Sequence, residues 1–270
     1  MRDGVRFRTD LYAGTAEDYD RFRPPYPPPL LDDLRARVPL GPGRRVLDLA
    51  CGTGQVAFAL AAHAREVVAV DQEPDFVDFG ARKAARLGVT NVRWVEGAAE
   101  HVALDGDFDL VAIGNAFHRL DREVVARRLV PHVRPAGCVA LLWGDVPSRG
   151  DREWQRVLGE TLVDWTQRVG AQERVPAGWA EAVERDPHEA VLRRVGLAYE
   201  GKFEFTAPAT WSVDALTGYA YSTSVLSRAA LGDHVAEFAA DLRRRLLACQ
   251  GDGMFEQDVS FAYQLARRPA

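Results

Sequence analysis

The sequence contains little cysteine, only two lysines and no long apolar run. Its three cysteines, Cys51, Cys138 and Cys249, are odd in number and lack paired spacing, which argues against a disulfide framework and against a zinc site. No segment approaches the roughly 18 consecutive apolar residues of a membrane span, and the charged start MRDGVRFRTD is unlike a signal peptide. We therefore expect a cytoplasmic protein without a bound metal and without a membrane partner.

An excess of basic charge is also missing. The chain has 34 Lys and Arg against 39 Asp and Glu, a formal net charge of −5, whereas a nucleic-acid-binding domain usually carries a basic patch. The densest basic cluster, Arg243 to Arg245, lies in EFAADLRRRLLACQ, a pattern typical of the solvent face of an amphipathic helix. We expect no nucleic-acid partner, and the sequence gives no indication of an oligomeric state.

The 270 residues have an ordinary globular composition, with 47% hydrophobic and 27% charged residues. Between residues 44 and 145, short apolar runs alternate with helical patterns, which indicates βαβ units and a parallel sheet covered on both faces. The five predicted strands are RRVLDLA, EVVAVD, NVRWVEG, FDLVAIGN and GCVALLWGD. The sequence therefore predicts an α/β fold with a core domain at 44–145.

The flanking segments have other compositions. Residues 1–43 are rich in aromatics, prolines and charge and predict an N-terminal strap with one helix. Residues 146–198 predict a helical lid over the carboxyl ends of the strands, where open α/β sheets bind ligands. Residues 199–270 contain helices and two further strands, EGKFEFTAPATWS and EQDVSFAYQLARRP. We expect them to complete the sheet, with one antiparallel edge strand, and to form the pocket for the substrate, the acceptor pocket.

A glycine-rich turn follows the first predicted strand, in RRVLDLACGTGQVAFAL. Glycines allow the backbone to approach a ligand closely, and a following helix offers unpaired amide groups. GTGQVA matches the permissive form of the dinucleotide-binding motif, and Asp71 follows Gly52 by 19 residues (71 − 52), as a ribose-binding acid should. On this motif alone, a nicotinamide-dependent oxidoreductase is one reading.

Asp48, inside the first strand, favours a different ligand. A buried carboxylate needs a partner, and the phosphates of a dinucleotide would repel it. A ligand with an ammonium group would pair with it instead. S-adenosylmethionine has such a group, and it also has ribose hydroxyls suited to Asp71.

VLDLACGTGQ, VVAVD, WVEGAAEHVAL, DFDLVAIGNAFHRLD and VRPAGCVALLWGD occur in that order, and together they resemble the class I S-adenosylmethionine-dependent methyltransferases. The similarity covers about residues 10–145 and is greatest to the small-molecule branch that includes trans-aconitate methyltransferase. It implies a Rossmann-like, mostly parallel seven-stranded sheet with one antiparallel edge strand, an N-terminal strap and a helical lid. The implied activity is transfer of a methyl group from S-adenosyl-L-methionine to an oxygen or nitrogen of a small molecule. A role in specialised metabolism is left open.

The resemblance also implies roles for single residues. Asp48 and the loop hold the methionine part of the cofactor, Asp71 holds both ribose hydroxyls, and Gln72 lies beside adenine. Ala98 stands where relatives commonly carry an aspartate that contacts adenine, so that contact is in doubt. The implied cofactor-binding residues are Asp48, Ala50, Gly52, Gly54, Asp71, Gln72, Ala98, Ala99, Asn115 and Ala116.

Three further assignments complete the predicted site. His118 follows the fourth strand and is a candidate general base, although packing against the cofactor or a backbone contact would also account for a histidine there. Arg23, in the strap, is a candidate for the cofactor carboxylate or an acidic substrate, with a plain salt bridge as the alternative. Aromatic rings can form a dry slot near a sulfonium, and the candidates are Tyr12, Tyr19, Tyr26, Trp143, Trp211, Tyr219 and Tyr221.

Two alternatives to a methyltransferase remain at this point. A nicotinamide-dependent oxidoreductase would use GTGQVA and Asp71, but the sequence has no evident catalytic Tyr-x-x-x-Lys. A non-catalytic protein would bind S-adenosylmethionine as a signal or structural ligand.

Overall fold

The structure, a computed structural model, describes residues 7–8 and 10–270. Residues 1–6 and 9 of the predicted strap lie outside the described residues. The strands are β1 (Gly41–Leu49), β2 (Ala64–Asp71), β3 (Val92–Glu96), β4 (Phe108–Gly114), β5 (Val133–Gly144), β6 (Ala198–Ser212) and β7 (Met254–Arg267). They form one sheet in the order β3-β2-β1-β4-β5-β7-β6, which confirms the predicted Rossmann-like α/β fold with seven strands.

The antiparallel strand, β7, lies one position inside the edge of the sheet. It pairs antiparallel with β5 on one side and with β6 on the other, so β6 is the outermost strand. The side chains explain this order. β7 places fully buried Tyr263 and Leu265 in the core, whereas the residues of β6 alternate between exposed and partly buried. A strand with one wet face suits the edge, and the more apolar strand takes the inner position.

The α-helices of the described residues are α1 (Ala16–Phe22), α2 (Pro28–Arg37), α3 (Gln55–Ala61), α4 (Pro74–Leu87), α5 (Arg122–Leu129), α6 (Glu153–Arg168), α7 (Trp179–Arg185), α8 (His188–Arg194), α9 (Val213–Tyr221), α10 (Arg228–Leu231) and α11 (Val235–Cys249). Pro74 stands at the first position of α4, where a proline is favoured because it lacks only an N–H that would be unpaired there. Gly88 ends this helix in the left-handed conformation.

Helices cover both faces of the sheet. On one face, Val46 of β1 packs with Leu30 and Leu34 of α2 and with Leu60 of α3. On the other face, Leu47 of β1 packs in a cluster that α5 and α8 complete. The helix α8 belongs to the segment predicted as a lid, but Val191 and Leu192 are buried in that second cluster. Residues 188–194 therefore cover one face of the sheet, and a lid over the strand ends stays a prediction for the rest of 146–198.

A third apolar cluster joins α6, α9 and α11 to the ends of β6 and β7. Its largest members include Trp154 and Trp165 of α6, Trp211 of β6, and Phe238 and Phe255. Because β7 pairs with the last residues of β5, this helical cap stands at the carboxyl edge of the parallel strands. Within residues 7–8 and 10–270, no helix combines the length and the apolar character that crossing a bilayer requires.

Candidate functional site

A cleft opens at the carboxyl ends of β1, β2 and β4. The order of the strands reverses between β1 and β4, which is the point at which open α/β sheets bind ligands. Its volume is about 630 Å³ when the space open to solvent is counted. The residues that line it are Tyr12, Tyr19, Ala50, Gly52, Asp71, Gln72, Glu73, Phe76, Gly97, Ala99, Gly114, Asn115, Ala116, Arg119 and Leu120.

The loop between β1 and α3 forms the floor of the cleft. Ala50, Gly52 and Gly54 all have positive φ angles, of 56°, 56° and 89°. This left-handed conformation is open to glycine and costs other residues about 1–2 kcal/mol, so Ala50 holds a strained position. Gly54 does not line the cleft. A Cβ atom there would lie 2.4 Å from the ring of Trp94, so this glycine serves the packing beneath the loop.

Asp71 ends β2 and fixes the loop. Its Oδ2 accepts a hydrogen bond from the amide of Gly52 at 2.7 Å, and its Oδ1 accepts one from the amide of Glu73 at 3.0 Å. Burial raises the pKa of this carboxyl, and the backbone donors act in the opposite direction. A carboxylate has about four acceptor positions, so capacity remains for hydroxyl groups of a ligand.

Asp48 lies one layer deeper, beneath the loop. Its Oδ2 accepts from the amide of Ala57 at 2.8 Å, at the start of α3, while its Oδ1 is buried and has no partner among the described residues. Burial raises the pKa of Asp48 to about 7, helped by the negative charge of Asp71. Asp48 is therefore a buried acid with one of its two oxygens lacking a partner among the described residues, although its side chain does not line the cleft.

The end of β4 supplies the opposite wall. Asn115 has a φ angle of 52°, and its Oδ1 accepts from the amide of Gly144 at 3.2 Å at the end of β5. Ala116 follows, and then a single 3-10 turn spans Phe117–Arg119. This turn directs Phe117 into the core, His118 toward α7, and Arg119 into the cleft.

His118 does not line the cleft. Its ring packs on Trp179 of α7, with ring centroids 5.3 Å apart, and its Nε2 lies 3.3 Å from Nε of Arg119. Burial lowers the pKa of His118 to about 3, and the positive charges of Arg119, His188 and Arg122 act in the same direction. The imidazole is thus neutral and a weak base, and its Nε2 is engaged as an acceptor.

The strap closes one side of the cleft with aromatic rings. Tyr12 and Tyr19 pack against each other and against Phe76 of α4, with centroid distances of 5.2 to 6.0 Å. Acids at the start of α4 hold the strap in place, since Glu73 accepts from the amide of Tyr12 at 2.9 Å and Asp75 from that of Gly14 at 2.8 Å.

Arg23 binds the helical cap, not the cleft. Its Nε donates to Ser222 Oγ at 2.8 Å, its Nη1 to the Tyr219 hydroxyl at 3.1 Å, and its Nη2 to the Ser222 carbonyl at 3.1 Å. The guanidinium also stacks between the rings of Tyr19 and Tyr219, at 5.0 and 4.5 Å. Neither a cofactor carboxylate nor a salt bridge is needed to explain this residue, since it ties α1 to α9.

The structure brings together about half of the predicted site. The predicted residues that line the cleft are Tyr12, Tyr19, Ala50, Gly52, Asp71, Gln72, Ala99, Asn115 and Ala116. Ala98 lies beside the cleft, where its carbonyl accepts from the amides of His101 and Val102. Most of the predicted aromatic slot is elsewhere: Trp211 and Tyr221 are buried in the helical cap, and Tyr219 is buried against Arg23.

The remaining two aromatic candidates also lie off the cleft. Tyr26 is buried against Phe261, and its hydroxyl has no partner among the described residues. Trp143 is half-buried on the sheet, where the amino group of Lys202 lies 5.7 Å from its ring.

Sequence reasoning missed several residues of the cleft. Glu73 and Phe76 belong to DQEPDF, directly after Asp71, and their position after β2 could have indicated them. Arg119, which directly follows the candidate base His118, was not assigned to the site. Within the described residues, no group of three or more His, Cys, Asp or Glu side chains is arranged to hold a metal ion.

The fold agrees with that of known structures. The YcgJ protein from Bacillus subtilis superposes with a TM-score of 0.54 at 18% identity, over 89% of this chain and 98% of that one. The cyclase SpnF superposes with a TM-score of 0.52 at 17% identity, over 90% of this chain and 80% of that one. These likenesses define the fold, the Rossmann-like fold of class I methyltransferases, and the name of the cyclase shows that the fold by itself does not determine the reaction.

Sequence comparison is more specific. Residues 46–137 match the family model described as a methyltransferase domain. An uncharacterized methyltransferase of Mycobacterium tuberculosis is 34% identical over 146 residues, which cover 53% of this chain and 55% of that protein. The trans-aconitate 2-methyltransferase of Deinococcus radiodurans is 29% identical over 167 residues, which cover 56% of this chain and 61% of that protein. The chain thus spans just over half the length of the curated relatives it matches, and its residues 46–137 are similar to a methyltransferase domain.

Proposed function

We propose that the protein transfers a methyl group from S-adenosyl-L-methionine to an oxygen or nitrogen of a small molecule. The observation that carries this proposal is the pair of acids around the glycine loop. Asp71 faces the cleft at the end of β2, and the buried Oδ1 of Asp48 has no partner among the described residues. A nucleoside with a cationic amino-acid tail provides hydroxyls for the first acid and an ammonium group for the second.

The chain's residues are suited to binding and aligning such a cofactor. Asp71 would hold the ribose, the loop at Ala50 and Gly52 would lie against the methionine part, and Gln72 and Ala99 would flank the adenine. Bound S-adenosylmethionine supplies a methyl group that is already activated by its sulfonium. What remains for the protein is to exclude water and to orient the acceptor, an effect that can contribute about 7–11 kcal/mol. Tyr12, Tyr19 and Phe76 supply the apolar wall for that purpose.

The nicotinamide-dependent alternative has less support. A dinucleotide would place its pyrophosphate at the start of α3, but the carboxylate of Asp48 already accepts from the Ala57 amide there. A negative group at that position would repel the phosphates. The relatives named methyltransferases also support methyl transfer over hydride transfer.

Calorimetric titration would test the proposal. We expect S-adenosylhomocysteine to bind saturably and NAD and NADP to give no heat. Asp71→Asn should weaken the binding of the homocysteine nucleoside roughly 10- to 100-fold, as expected for a lost charged hydrogen bond worth about 1.5–3 kcal/mol. Asp75→Asn is the matched control. Asp75 lies four residues after Asp71 and also accepts a backbone hydrogen bond, from Gly14 of the strap, but it is exposed to solvent and does not line the cleft.

Release of S-adenosylhomocysteine from S-adenosylmethionine during an acceptor screen would then separate an enzyme from a binding protein. Binding of a nicotinamide nucleotide without binding of the homocysteine nucleoside would contradict the proposal. Tight nucleoside binding with no methyl transfer to any oxygen or nitrogen acceptor would favour the non-catalytic alternative.

A further inference from the structure

Arg119 is a cation in the cleft wall, and it has no carboxylate partner among the described residues. No acid of residues 7–8 and 10–270 lies within 4.0 Å of its guanidinium, whereas most other arginines of the protein form ion pairs. Its Nη1 is buried and donates to no acceptor among the described residues. The side chain as a whole is partly exposed, but a guanidinium with one buried nitrogen that lacks an acceptor points to a place for an anion beside it.

The surroundings of Arg119 fix the guanidinium in place. It lies between two strap rings, 5.3 Å from the centroid of Phe7 and 5.1 Å from that of Tyr12. Its Nε donates a hydrogen bond of 3.3 Å to Nε2 of His118, which can accept it because the imidazole is neutral. Rings on two sides and an acceptor on Nε leave the two terminal nitrogens as the free donors.

The charge of Arg119 acts on residues of the strap and the helical cap, which we take as the side of the cleft that receives the methyl acceptor. It favours the ionised forms of Tyr19 and Tyr219, which belong to the strap and the helical cap. Arg119 stands on the short turn after β4, whereas Asp48, where we place the amino group of the cofactor, lies beneath the glycine loop. The α-carboxylate of the cofactor is joined to the same carbon as that amino group, so it belongs near Asp48 and away from Arg119.

We propose that Arg119 binds a carboxylate group of the methyl acceptor, so that the protein selects small carboxylic acids. The planar guanidinium matches a carboxylate, and its two free terminal nitrogens can both donate to it. The rings of Phe7 and Tyr12 lie against the guanidinium. This proposal rests on the proposed function, because it assigns the acceptor of that reaction.

The test is a set of calorimetric titrations, with and without saturating S-adenosylhomocysteine. The probes are two acids, benzoate and succinate, and their neutral amides, benzamide and succinamide. We expect at least one acid to bind the wild type ten-fold or more tightly than its amide. Arg119→Gln should remove that preference, whereas Arg119→Lys should retain part of it. Arg127→Gln is the control, since Arg127 is exposed on α5 and pairs with Glu123.

Three results would overturn the assignment. The wild type could bind acids and amides equally, or Arg119→Gln could keep the preference for acids. The third is a loss of affinity for S-adenosylhomocysteine in Arg119→Gln, which would make Arg119 a cofactor residue. If the wild type does not bind the homocysteine nucleoside, the proposed function fails, and the titrations without nucleoside still decide whether Arg119 recognises a carboxylate.

Discussion

The carboxylate of Asp71 and the amide of Gly52 are joined by a hydrogen bond of 2.7 Å, which links the end of one strand to the turn that follows its neighbour. The same carboxylate accepts from the amide of Glu73, whose side chain in turn accepts from the amide of Tyr12. One acid at the end of β2 therefore connects the glycine loop, the start of α4 and the strap. Any ligand that contacts Asp71 contacts the centre of this network.

The first prediction concerns the buried acid Asp48. Its pKa is about 7 in the folded protein against 3.8 for the unperturbed carboxyl, so the folded form retains a proton that the unfolded form has lost between these values. Stability from this group is present below pH 4 and is lost as the pH rises through 7. Asp48→Asn should raise the free energy of unfolding of the ligand-free protein at pH 8 by a few kcal/mol.

Urea denaturation at pH 5 and pH 8 would measure this effect. At pH 5 the carboxyl is protonated in the folded wild type but ionised in the unfolded chain, so the difference between the two proteins should be less than half of that at pH 8. The same substitution should weaken binding of S-adenosylhomocysteine at pH 8. A variant that is less stable than the wild type at pH 8 but not at pH 5 would contradict the assignment.

The second prediction concerns backbone strain at Ala50. Its φ angle of 56° is costly for alanine and free for glycine, and Ala136, far from the cleft at the start of β5, has a similar angle of 62°. Ala50→Gly and Ala136→Gly should each raise the free energy of unfolding by about 0.5–1 kcal/mol, after the larger entropy of an unfolded glycine is subtracted.

Chemical denaturation and nucleoside titration of both variants separate strain from function. Only Ala50→Gly should alter the affinity for S-adenosylhomocysteine, because only Ala50 lines the cleft. Equal nucleoside affinities in the two variants would show that the loop position of Ala50 has no role in binding.

The third prediction concerns the packing beneath the loop at Gly54. A Cβ atom there would lie 2.4 Å from the ring of Trp94, which cannot retreat because it also presses on Gly80. Gly54→Ala should reduce the free energy of unfolding by more than 2 kcal/mol, from overpacking and left-handed strain together. Gly88→Ala, at a φ of 68° but in open space, should cost only about 1 kcal/mol, and similar losses in the two variants would refute the packing argument.

The fourth prediction concerns the neutral imidazole of His118. Burial lowers its pKa to about 3 from 6.5, so the unfolded form takes up a proton between these values and the folded form does not. The stability that this group contributes is present above pH 6.5 and declines as the pH falls toward 3. Wild-type protein should therefore lose up to about 2 kcal/mol at pH 5 through this residue alone.

His118→Asn should have a flatter dependence of stability on pH over that range, which denaturation at pH 5 and pH 8 would show. His188 has a lowered pKa of about 4 for the same main reason, burial, so the double variant should be flatter still. If the free energy of unfolding of His118→Asn changed with pH as steeply as that of the wild type, the imidazole would not be buried in solution.

Much of the fold was predictable because buried strands and amphipathic helices each show a characteristic hydrophobic pattern within a short stretch of sequence. The segment 146–198 shows where this reasoning stops. Its helices all contain apolar faces, and only the folded chain shows that Val191 and Leu192 cover the sheet while Trp154 and Trp165 build the cap. An apolar face indicates burial, but not which surface it is buried against.

The site divides in the same way. Asp71 and the loop were predictable because a motif fixes them relative to the ends of two strands. His118 and Arg119 were not, because successive residues of a 3-10 turn point about 120° apart. A register of one residue therefore decides which side chain enters the cleft, and here the arginine does so while the histidine packs on Trp179.

The two walls of the cleft come from different parts of the chain. The loop after β1 and the acid that ends β2 are built into the sheet, whereas Tyr12, Phe7 and Arg119 stand on a strap and a short turn at its rim. Substitutions on the rim leave the core packing of the strands untouched. Under the proposed function, a few changes at this rim, outside the sheet, would exchange one acceptor for another and would leave the part that meets the nucleoside unchanged.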